Sequence, residues 1–215
     1  MKPLNKVKIK WSSDFAYAIG LLVTDGSLSI DKRHLELTSK DVEQLNNFNK
    51  CLQTNFKIFL KDKNNNNKCF RVQFSDVSFY NFLITIGLMP KKTKIIDSIK
   101  IPKKYFFDFL RGHFDGDGCF YSYWDRRWKH SFMFYTTFLS ASKKHINWLR
   151  GEISKRIGIK GHITKAATDS VYQLRYAKKE SIIILKKMYY KNKVTCLSRK
   201  RLKINKVLDT IEEIL

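Results

Sequence analysis

An α+β fold built from two pseudo-symmetric halves is predicted for this 215-residue chain, and three observations predict it. An apolar segment with an internal glycine occurs twice, at residues 15–26 and 107–118, with a constant offset of 92 residues. The same order of alternating and helical segments follows each copy, which indicates an internal repeat. Hydrophobic residues make up 43% of the chain, enough for a packed core and too many for wholesale disorder.

The first half is predicted to have the order αββαββα, with residues 15–26 as its first helix. Alternation predicts strands at 27–30 and 34–38, and again at 57–61 and 69–74 on either side of a polar tip at Asn64–Asn67. Apolar spacing predicts helices at 41–56 and 77–87, the second of which ends at Gly87 as a glycine C-cap.

The second half repeats this order after its own first helix at 107–118. Strands are predicted at 119–124, 131–140, 161–165 and 171–176, and helices at 143–157 and 178–190. A last basic helix near 197–215 has no counterpart in the first half. The predicted domains are therefore an N-terminal half (1–87), a linker (88–104), a C-terminal half (105–195) and a C-terminal basic segment (196–215).

The charge of the chain predicts a polyanionic partner. It carries 42 Lys+Arg against 19 Asp+Glu, a net charge of +23, and nucleic acid is the partner this favours, with an anionic membrane as the alternative. No run of 18 apolar residues and no signal-peptide pattern occurs, so we expect an intracellular protein that neither spans nor binds a membrane. The cysteines are scattered without a C-x-x-C pair, as in reduced proteins: Cys51, Cys69, Cys119 and Cys196.

Two small-residue stripes predict that the repeated helices pack against each other. A glycine inside a helix destabilises the helix by about 1 kcal/mol relative to alanine. Close packing against another helix would explain why Gly20 and Gly112 occur there. Residues four apart share a helix face. The two stripes are Ala16, Gly20 and Thr24 in one helix and Asp108, Gly112 and Gly116 in the other, with Asp108 expected at the wider end.

The packing would bring Asp25 and Asp117 together at the C-terminal ends of the paired helices. This is an unfavourable place for two carboxylates, because the helix dipole is negative there and like charges repel. Such an arrangement favours a bound cation, and carboxylate oxygens suit Mg²⁺ and metal-assisted phosphodiester hydrolysis. A single Asp-Gly pair is more simply explained as a turn. Asp115 is an alternative ligand, but the residue at its position in the first half is Val23, so the symmetric pair of Asp25 and Asp117 is preferred.

These segments resemble the motif of the LAGLIDADG homing endonucleases. Ala18-Ile-Gly-Leu-Leu-Val-Thr-Asp-Gly26 is a loose copy, departing at Ala18, Val23 and Thr24, and Leu110-Arg-Gly-His-Phe-Asp-Gly-Asp-Gly118 is a closer one. The resemblance is to the single-chain type with two motifs, and it covers nearly the whole chain. It implies a monomer with two curved antiparallel β-saddles and with the motif helices at the interface of the halves.

The resemblance also implies a function and a site. It implies a metal-dependent, site-specific endonuclease that cuts both strands of DNA across the minor groove, leaves short 3′ overhangs and serves intron or intein mobility. Asp25 and Asp117 would bind the metal, together with Gly26 and Gly118. Mg²⁺ is the expected cofactor; Mn²⁺ is expected to substitute and Ca²⁺ to bind without supporting cleavage.

Basic residues near the scissile phosphates are a further implication of the resemblance. The segments 88–93 and 196–201 correspond to them, and Lys92 and Lys200 are our candidates for polarising water or stabilising phosphorane charge. Lys91, Lys94 and Arg199 are rivals, and ordinary solvated charges are the alternative interpretation.

The outward face of each predicted sheet is the expected double-stranded DNA surface, since the major groove admits a β-ribbon. Arg71 and Gln173, and likewise Gln73 and Arg175, occupy equivalent positions and are plausible base readers. The first half contributes Ser29, His34, Glu36, Lys57, Lys61, Arg71 and Gln73, and the second Tyr121, Tyr123, Thr164, Gln173 and Arg175; Lys165 at a strand end is a further DNA-binding candidate. The phosphate-gripping tips contribute Lys32, Arg33, Lys68, Arg126, Arg127 and Lys129, and Arg199 is added from the C-terminal segment.

Two other classes of function remain as alternatives. The same scaffold could serve an intron maturase or a non-catalytic DNA- or RNA-binding protein, and splicing assistance without DNA cleavage would favour that hypothesis. A structural basic protein is the third hypothesis, and it predicts neither sequence preference nor metal dependence. No G-x-S-x-G, P-loop or dinucleotide-binding pattern occurs, so acyl transfer, NTP hydrolysis and hydride transfer lack support.

Overall fold

Seven α-helices and eight strands fill the residues that the computed structural model describes, which are 5–61, 68–128, 131–165 and 171–212. The first half comprises α1 (Ser13–Thr24), β1 (Gly26–Leu28), β2 (His34–Ser39), α2 (Val42–Leu52), β3 (Ile58–Leu60), β4 (Phe70–Ser75) and α3 (Val77–Ile86). The second comprises α4 (Phe106–Asp117), β5 (Cys119–Trp124), β6 (Phe132–Ser140), α5 (Lys143–Ile157), β7 (His162–Lys165), β8 (Tyr172–Ala177) and α6 (Lys178–Met188), and α7 (Ser198–Asp209) follows it. The predicted α+β fold with two αββαββα halves is confirmed.

Each half contains one antiparallel sheet, and the two sheets have the same topology. The strand orders are β1-β2-β4-β3 and β5-β6-β8-β7. The registers are also equivalent. Ser27 follows the first motif copy and pairs with Glu36; Cys119 follows the second motif copy and pairs with Thr137. The inner face of each sheet packs on helices and is buried; its residues include Leu35, Leu37 and Val72 in the first sheet and Phe134, Phe138 and Leu174 in the second.

Local chemistry sets the helix boundaries. Ser142 caps α5 by accepting a hydrogen bond from the backbone N–H of His145, and Gly158 ends that helix with a φ of 73°. The helix predicted at 41–56 ends at Leu52 instead, because Gln53 adopts the left-handed conformation with a φ of 56°. The side chain of Asn49 then bonds to both backbone groups of Phe56, which replaces the missing helical hydrogen bonds.

The helices α1 and α4 form the centre of the molecule and pack on each other more extensively than any other pair of elements among the described residues. A Cβ atom built on Gly20 would collide with the carbonyl oxygen of Phe109 and lie 2.6 Å from the backbone nitrogen of His113. A Cβ built on Gly112 would collide with the carbonyl oxygen of Tyr17. Glycine is therefore required at both positions by the close approach of two backbones.

The first turn of α4 contributes Asp108 to a buried ion pair. Asp108 is 2% exposed and accepts a hydrogen bond of 2.9 Å from Arg111 and one of 3.0 Å from the hydroxyl of Tyr190. The Arg111 guanidinium also donates to the backbone carbonyls of Met188 and Thr195. This network satisfies two charges that would be costly to bury alone.

The helix α7 connects the two halves. Just before the helix, the carbonyl oxygen of Cys196 accepts a hydrogen bond of 2.9 Å from the side chain of Asn47. At its start, the backbone N–H of Ser198 donates a hydrogen bond of 3.0 Å to the carboxylate of Glu43. Arg199 forms an ion pair of 2.7 Å with Asp41. The C-terminal helix predicted to reach residue 215 is described from Ser198 to Asp209. Of all the helices described, none combines the length and the apolar character needed to span a membrane.

Candidate active site and nucleic-acid interface

The two predicted acids lie where the central helices end. Asp25 is the C-cap of α1, and Asp117 is the last residue of α4. Burial, followed by the nearby Asp117 charge, raises the pKa of Asp25 from 3.8 to about 6. Desolvation by the surrounding protein atoms also raises the pKa of Asp117, although its side chain is exposed to solvent. The two carboxylates therefore form one negatively charged site that favours a cation.

Gln44 binds the carboxylate of Asp25, a contact that the sequence did not predict. It is 3% exposed, donates a hydrogen bond of 2.5 Å to Asp25 through its Nε2 and accepts one of 3.1 Å from Ser39. The sequence signal is a polar residue three positions after the N-cap Asp41, on the buried side of an otherwise apolar helix stripe. The equivalent position in α5, three residues after its N-cap, is His145.

His145 does not repeat the role of Gln44, so the two carboxylates have different surroundings. Its ring stacks on the buried His113, with 3.1 Å between the two Nε2 atoms, and its Nδ1 lies 2.6 Å from the carbonyl of Asp97. Burial lowers the pKa of both histidines, so both are neutral near pH 7. The two rings line a small cleft with Asp117 and Lys92. His113 is therefore a core residue beside this cleft.

Lys92 and Lys200 occupy equivalent positions beside the two acids. Lys92 Nζ donates to the carbonyl oxygens of Thr24 (3.2 Å) and Gly26 (2.5 Å). Lys200 Nζ donates to the carbonyls of Gly116 (3.4 Å) and Gly118 (2.7 Å), the same two positions of the repeat, and to those of Phe114 and Asp115. Each ammonium therefore stabilises the C-terminal carbonyls of one central helix.

Both ammonium groups are almost fully buried, with 7% of Lys92 and 9% of Lys200 exposed. Desolvation lowers the pKa of Lys92, and it lowers that of Lys200 to about 8. The negative charges of Asp25 and Asp117 act in the opposite direction on Lys92. The three alternative basic residues have different surroundings: Lys91 and Lys94 are exposed, and Arg199 forms an ion pair with Asp41.

Asp115 has a structural place rather than a position at the shared acidic site. It is fully buried and accepts hydrogen bonds of 2.8 Å from the hydroxyl of Tyr17 and from the backbone N–H of Leu197, the N-cap of α7. It thereby fixes the start of the helix that carries Lys200. Both hydrogen bonds end on its Oδ2, whereas its Oδ1 is buried without a hydrogen-bond partner among the described residues.

The donor set fits a hard divalent cation. Burial raises the pKa of both carboxylates, and the nearby charge of Asp117 adds to the shift of Asp25, so a bound cation would favour their charged forms. Mg²⁺ takes one or two carboxylates and completes its shell with water and phosphate oxygens. The carbonyls of Gly26 and Gly118 each accept a lysine hydrogen bond, which leaves one lone pair on each. Among the described residues, no group of three or more His, Cys, Asp or Glu side chains converges.

The outer face of the first sheet is charged and internally paired. Glu36 lies at its centre and accepts from Lys61 at 2.6 Å, Arg71 at 3.3 Å and Thr38 at 2.9 Å. Gln73 is exposed beside them and pairs with Glu36 in the register. The other predicted residues of this face are Ser29, His34 and Lys57; His34 is bonded to Asp31 and Lys57 lies 5.3 Å from the Phe59 ring.

The outer face of the second sheet is aromatic. Tyr121, Tyr123, Thr164, Gln173 and Arg175 lie on it, as the alternation predicts. Lys165 does not, because it follows Thr164 on a strand and points to the opposite face, with Nζ 5.7 Å from the Tyr172 ring. Lys165 stays a predicted DNA contact at the end of its strand rather than on this face.

The hairpin tips present exposed basic side chains: Lys32, Arg33, Lys68, Arg126 and Arg127. Lys32 adopts the left-handed backbone conformation with a φ of 61°, and Arg127 is paired with Asp125. The predictions for Lys129 and for the Asn64–Asn67 tip lie outside the described residues. Exposed tips beside an outer sheet face suit contacts to phosphates that set register on a duplex.

The fold and the paired acids at its centre define a class, that of the two-motif LAGLIDADG architecture. The chain has the same fold as the LAGLIDADG homing endonuclease I-LtrWI bound to its target DNA (TM-score 0.61, 13% identity, 93% of this chain and 91% of that one). It is equally similar in fold to the meganuclease I-AabMI bound to uncleaved DNA (TM-score 0.61, 12% identity, 92% and 90%). The suspected resemblance is confirmed at the level of the fold.

A third solved structure has a similar fold. The N-terminal LAGLIDADG domain of DUF199/WhiA matches with a TM-score of 0.56 and 15% identity over 92% of this chain and 88% of that one. No model of a protein family and no curated protein sequence matches the chain. The shared architecture therefore rests on three-dimensional structure together with the two motif copies.

Proposed function

We propose that the protein is a site-specific endonuclease that hydrolyses both strands of double-stranded DNA with a divalent metal ion. The observation that carries the proposal is the pair of acids at the shared end of α1 and α4, each beside a buried lysine at the equivalent position of its half. The net charge of +23 and the two outer sheet faces supply the DNA-binding side of the proposal.

The central site assigns distinct tasks to its residues. Asp25 and Asp117 would hold Mg²⁺, which supplies an activated water and stabilises the charge of the leaving oxygen when it is bound. Gln44 fixes the orientation of the Asp25 carboxylate by its hydrogen bond to Oδ2. The rigid backbone contact at Gly20 and Gly112 fixes the separation of the two helices that carry the acids.

The two lysines would act on the phosphate side of the reaction. Each ammonium is held by backbone carbonyls at the end of a central helix, so its position needs no reorganisation when DNA binds. A positive charge held there attracts the scissile phosphate and stabilises the developing negative charge of the pentavalent state. One lysine for each acid is the arrangement that two strand cuts in one protein require.

Removal of either acid tests the proposal. Asp25→Asn or Asp117→Asn should abolish Mg²⁺-dependent cleavage of a selected DNA site while binding persists, because the amide loses the charge that holds the cation. Asp209→Asn, which changes an exposed residue on α7, is the matched control and should cut normally. Strand cleavage with Mg²⁺, Mn²⁺, Ca²⁺ and EDTA would be measured together. Cutting at the wild-type rate by either acid variant would refute the assignment.

A binding protein without nuclease activity is the second candidate. It is favoured by the fold match to the N-terminal LAGLIDADG domain of DUF199/WhiA. This candidate includes an intron maturase or a DNA-binding regulator. It predicts sequence-specific binding by the wild-type protein with no strand cleavage in any metal, and the same experiment therefore distinguishes the two candidates. Elution as a monomer in the presence and absence of DNA is expected for both.

A further inference from the structure

The outer face of the second sheet carries a stack of three tyrosine rings. Tyr121 and Tyr135 face each other across β5 and β6 with their centroids 5.1 Å apart and an interplanar angle of 16°. Tyr123 lies 6.4 Å from both and nearly parallel to them, at 10° and 7°. None of these rings belongs to the core, and Tyr123 is 43% exposed. An ordered aromatic group on the outside of a sheet is a contact surface for a partner.

A guanidinium group lies on this stack. The Cζ atom of Arg175 is 5.4 Å from the centroid of Tyr121 and 5.1 Å from that of Tyr135, both within cation–π range. Within the described part of the chain, Arg175 Nε and the Tyr121 hydroxyl are buried without hydrogen-bond partners. The rings therefore hold the plane of the guanidinium. The buried Nε–H does not face a ligand, whereas the two Nη groups have no hydrogen-bond or ion-pair partner within the described residues and stay free for one.

The first sheet has nothing comparable at the equivalent positions. The register places Ser29 where the second sheet has Tyr121, His34 in place of Tyr135, and Gln73 in place of Arg175. The arginine that the first sheet does carry, Arg71, is bonded to Glu36, which also holds Lys61. The two faces therefore offer a duplex very different chemistry, although the backbones that carry them are equivalent.

We propose that the cluster of Tyr121, Tyr123, Tyr135 and Arg175 is the main sequence-reading element of the protein, recognising a guanine flanked by thymines in the major groove of one half-site. Arginine fits the O6 and N7 acceptors of guanine with two parallel hydrogen bonds. Aromatic carbon surface fits the thymine methyl group, which only the major groove of DNA displays. The inference rests on the proposed function only for DNA as the partner; it requires no cleavage.

Two further arguments favour double-stranded DNA over RNA. The deep, narrow major groove of an A-form helix does not admit a sheet, whereas the B-form groove does. The near-parallel stacking also leaves the rings in contact with one another rather than spread apart to receive separate unstacked bases. We therefore expect the base preference to be asymmetric, strict at the base pairs that the second sheet contacts and weaker at those that the first sheet contacts. In the first sheet, Arg71 must leave Glu36 before it can contact a base.

The test is a binding selection from a randomised duplex library in EDTA, at one fixed salt concentration, with the full-length protein. The wild-type protein should enrich a site with a guanine beside thymines in one half. Arg175→Lys retains the charge but loses the two-bond geometry, and it should lose about 5- to 150-fold in discrimination at that guanine. Arg175→Gln installs the residue of the first sheet and should shift the preference at that pair from guanine to adenine. Tyr135→Leu should weaken both the guanine and the thymine preferences.

The matched control is Arg150→Lys, the same change on α5 and away from both outer sheet faces, which should alter the selected motif by less than about threefold. Arg71→Lys, on the first sheet, should cost less discrimination than Arg175→Lys because Arg71 is already paired with Glu36. The proposal is overturned if Arg175→Lys and Arg175→Gln select the wild-type motif, if Arg71→Lys costs as much discrimination as Arg175→Lys, or if the wild-type protein enriches no motif. Cleavage of the enriched duplex with Mg²⁺ is then scored separately. Failure there removes the nuclease proposal and leaves the recognition proposal standing.

Discussion

The close approach of the two central helices leads to a quantitative prediction at Gly112. The change Gly112→Ala adds one methyl group that would collide with the Tyr17 carbonyl oxygen and lie 3.1 Å from its Cα. The obstacle is the backbone of a second buried helix, so no side chain can rotate away to make room. Either α1 and α4 separate along their contact, or the hydrogen bonds of one helix deform.

The magnitude follows from two opposing terms. Replacing glycine by alanine inside a helix stabilises it by about 1 kcal/mol. Overpacking a core typically costs about 1 to 3 kcal/mol, and a clash with backbone belongs at the upper end of that range. The net expectation is a loss of about 2 kcal/mol in the free energy of unfolding. For a chain of this length, this corresponds to a decrease of about 4 to 8 °C in Tm.

Gly151 provides a matched control in α5. A Cβ built there meets nothing within 4 Å, so Gly151→Ala keeps the helix-propensity term and lacks the steric one. This variant should unfold about 2 to 4 °C above the wild type. Thermal melting followed by circular dichroism measures both changes. If Gly112→Ala melted at or above the wild-type temperature, the two helices would not touch at these positions, and the geometry of the paired acids would lose its basis.

Three more predictions concern buried charge. The folded state keeps His113 and His145 neutral, so their contribution to stability should be full above about pH 7.5 and should fall by about 1 to 3 kcal/mol by pH 5.5, as the unfolded chain takes up protons. The raised pKa values of Asp25 and Asp115 act in the opposite direction over the same range, so the share of His145 should appear in urea unfolding as the difference between the wild type and His145→Gln. Arg111→Leu should cost about 3 to 5 kcal/mol, because Asp108 would remain buried without its cation. Lys200→Met should cost about 1 to 3 kcal/mol, because it leaves the helix-end carbonyls of α4 unsatisfied.

Each of these predictions has a control. His162→Gln, at an exposed position, should leave the pH dependence of stability unchanged, whereas His145→Gln should flatten it. The double change Asp108→Asn with Arg111→Leu should recover part of the stability that Arg111→Leu loses, since no net charge then stays buried. Lys203→Met, on the exposed side of α7, should melt like the wild type. The same pH dependence in His145→Gln as in the wild type, no recovery in the double variant, or equal loss in the two lysine variants would contradict the respective argument.

The order of elements was predictable because each carries a local signal. The helix α5 has the predicted bounds since Ser142 and Gly158 are a strong start and stop. The helix α2 was drawn too long because apolar spacing continues to Phe56, whereas the conformation of Gln53 and the bonds of Asn49 end the helix earlier. Such side-chain competition with the helix is decided by tertiary context and has no periodic signature.

The central site was predictable to a lesser degree. The offset of the repeat pointed to Asp25 and Asp117, and the segments after the third helices pointed to the region of Lys92 and Lys200. Gln44 was missed because its partner lies across the fold, and a single polar residue on an apolar stripe is easily taken as solvent-facing. The pairing of Arg71 with Glu36 depends on which rotamers the strands permit, and this also has no sequence signal.

The anchoring of Lys200 has a consequence for the timing of biosynthesis. The ammonium that closes α4 is supplied 85 residues after Asp115, by a helix whose start is held by that same aspartate. A growing polypeptide that has completed both sheets still lacks this ammonium group. The lysine of the second half is therefore placed after that of the first, which follows closely behind its own sheet, and the pair of buried lysines is complete only when the last helix has docked.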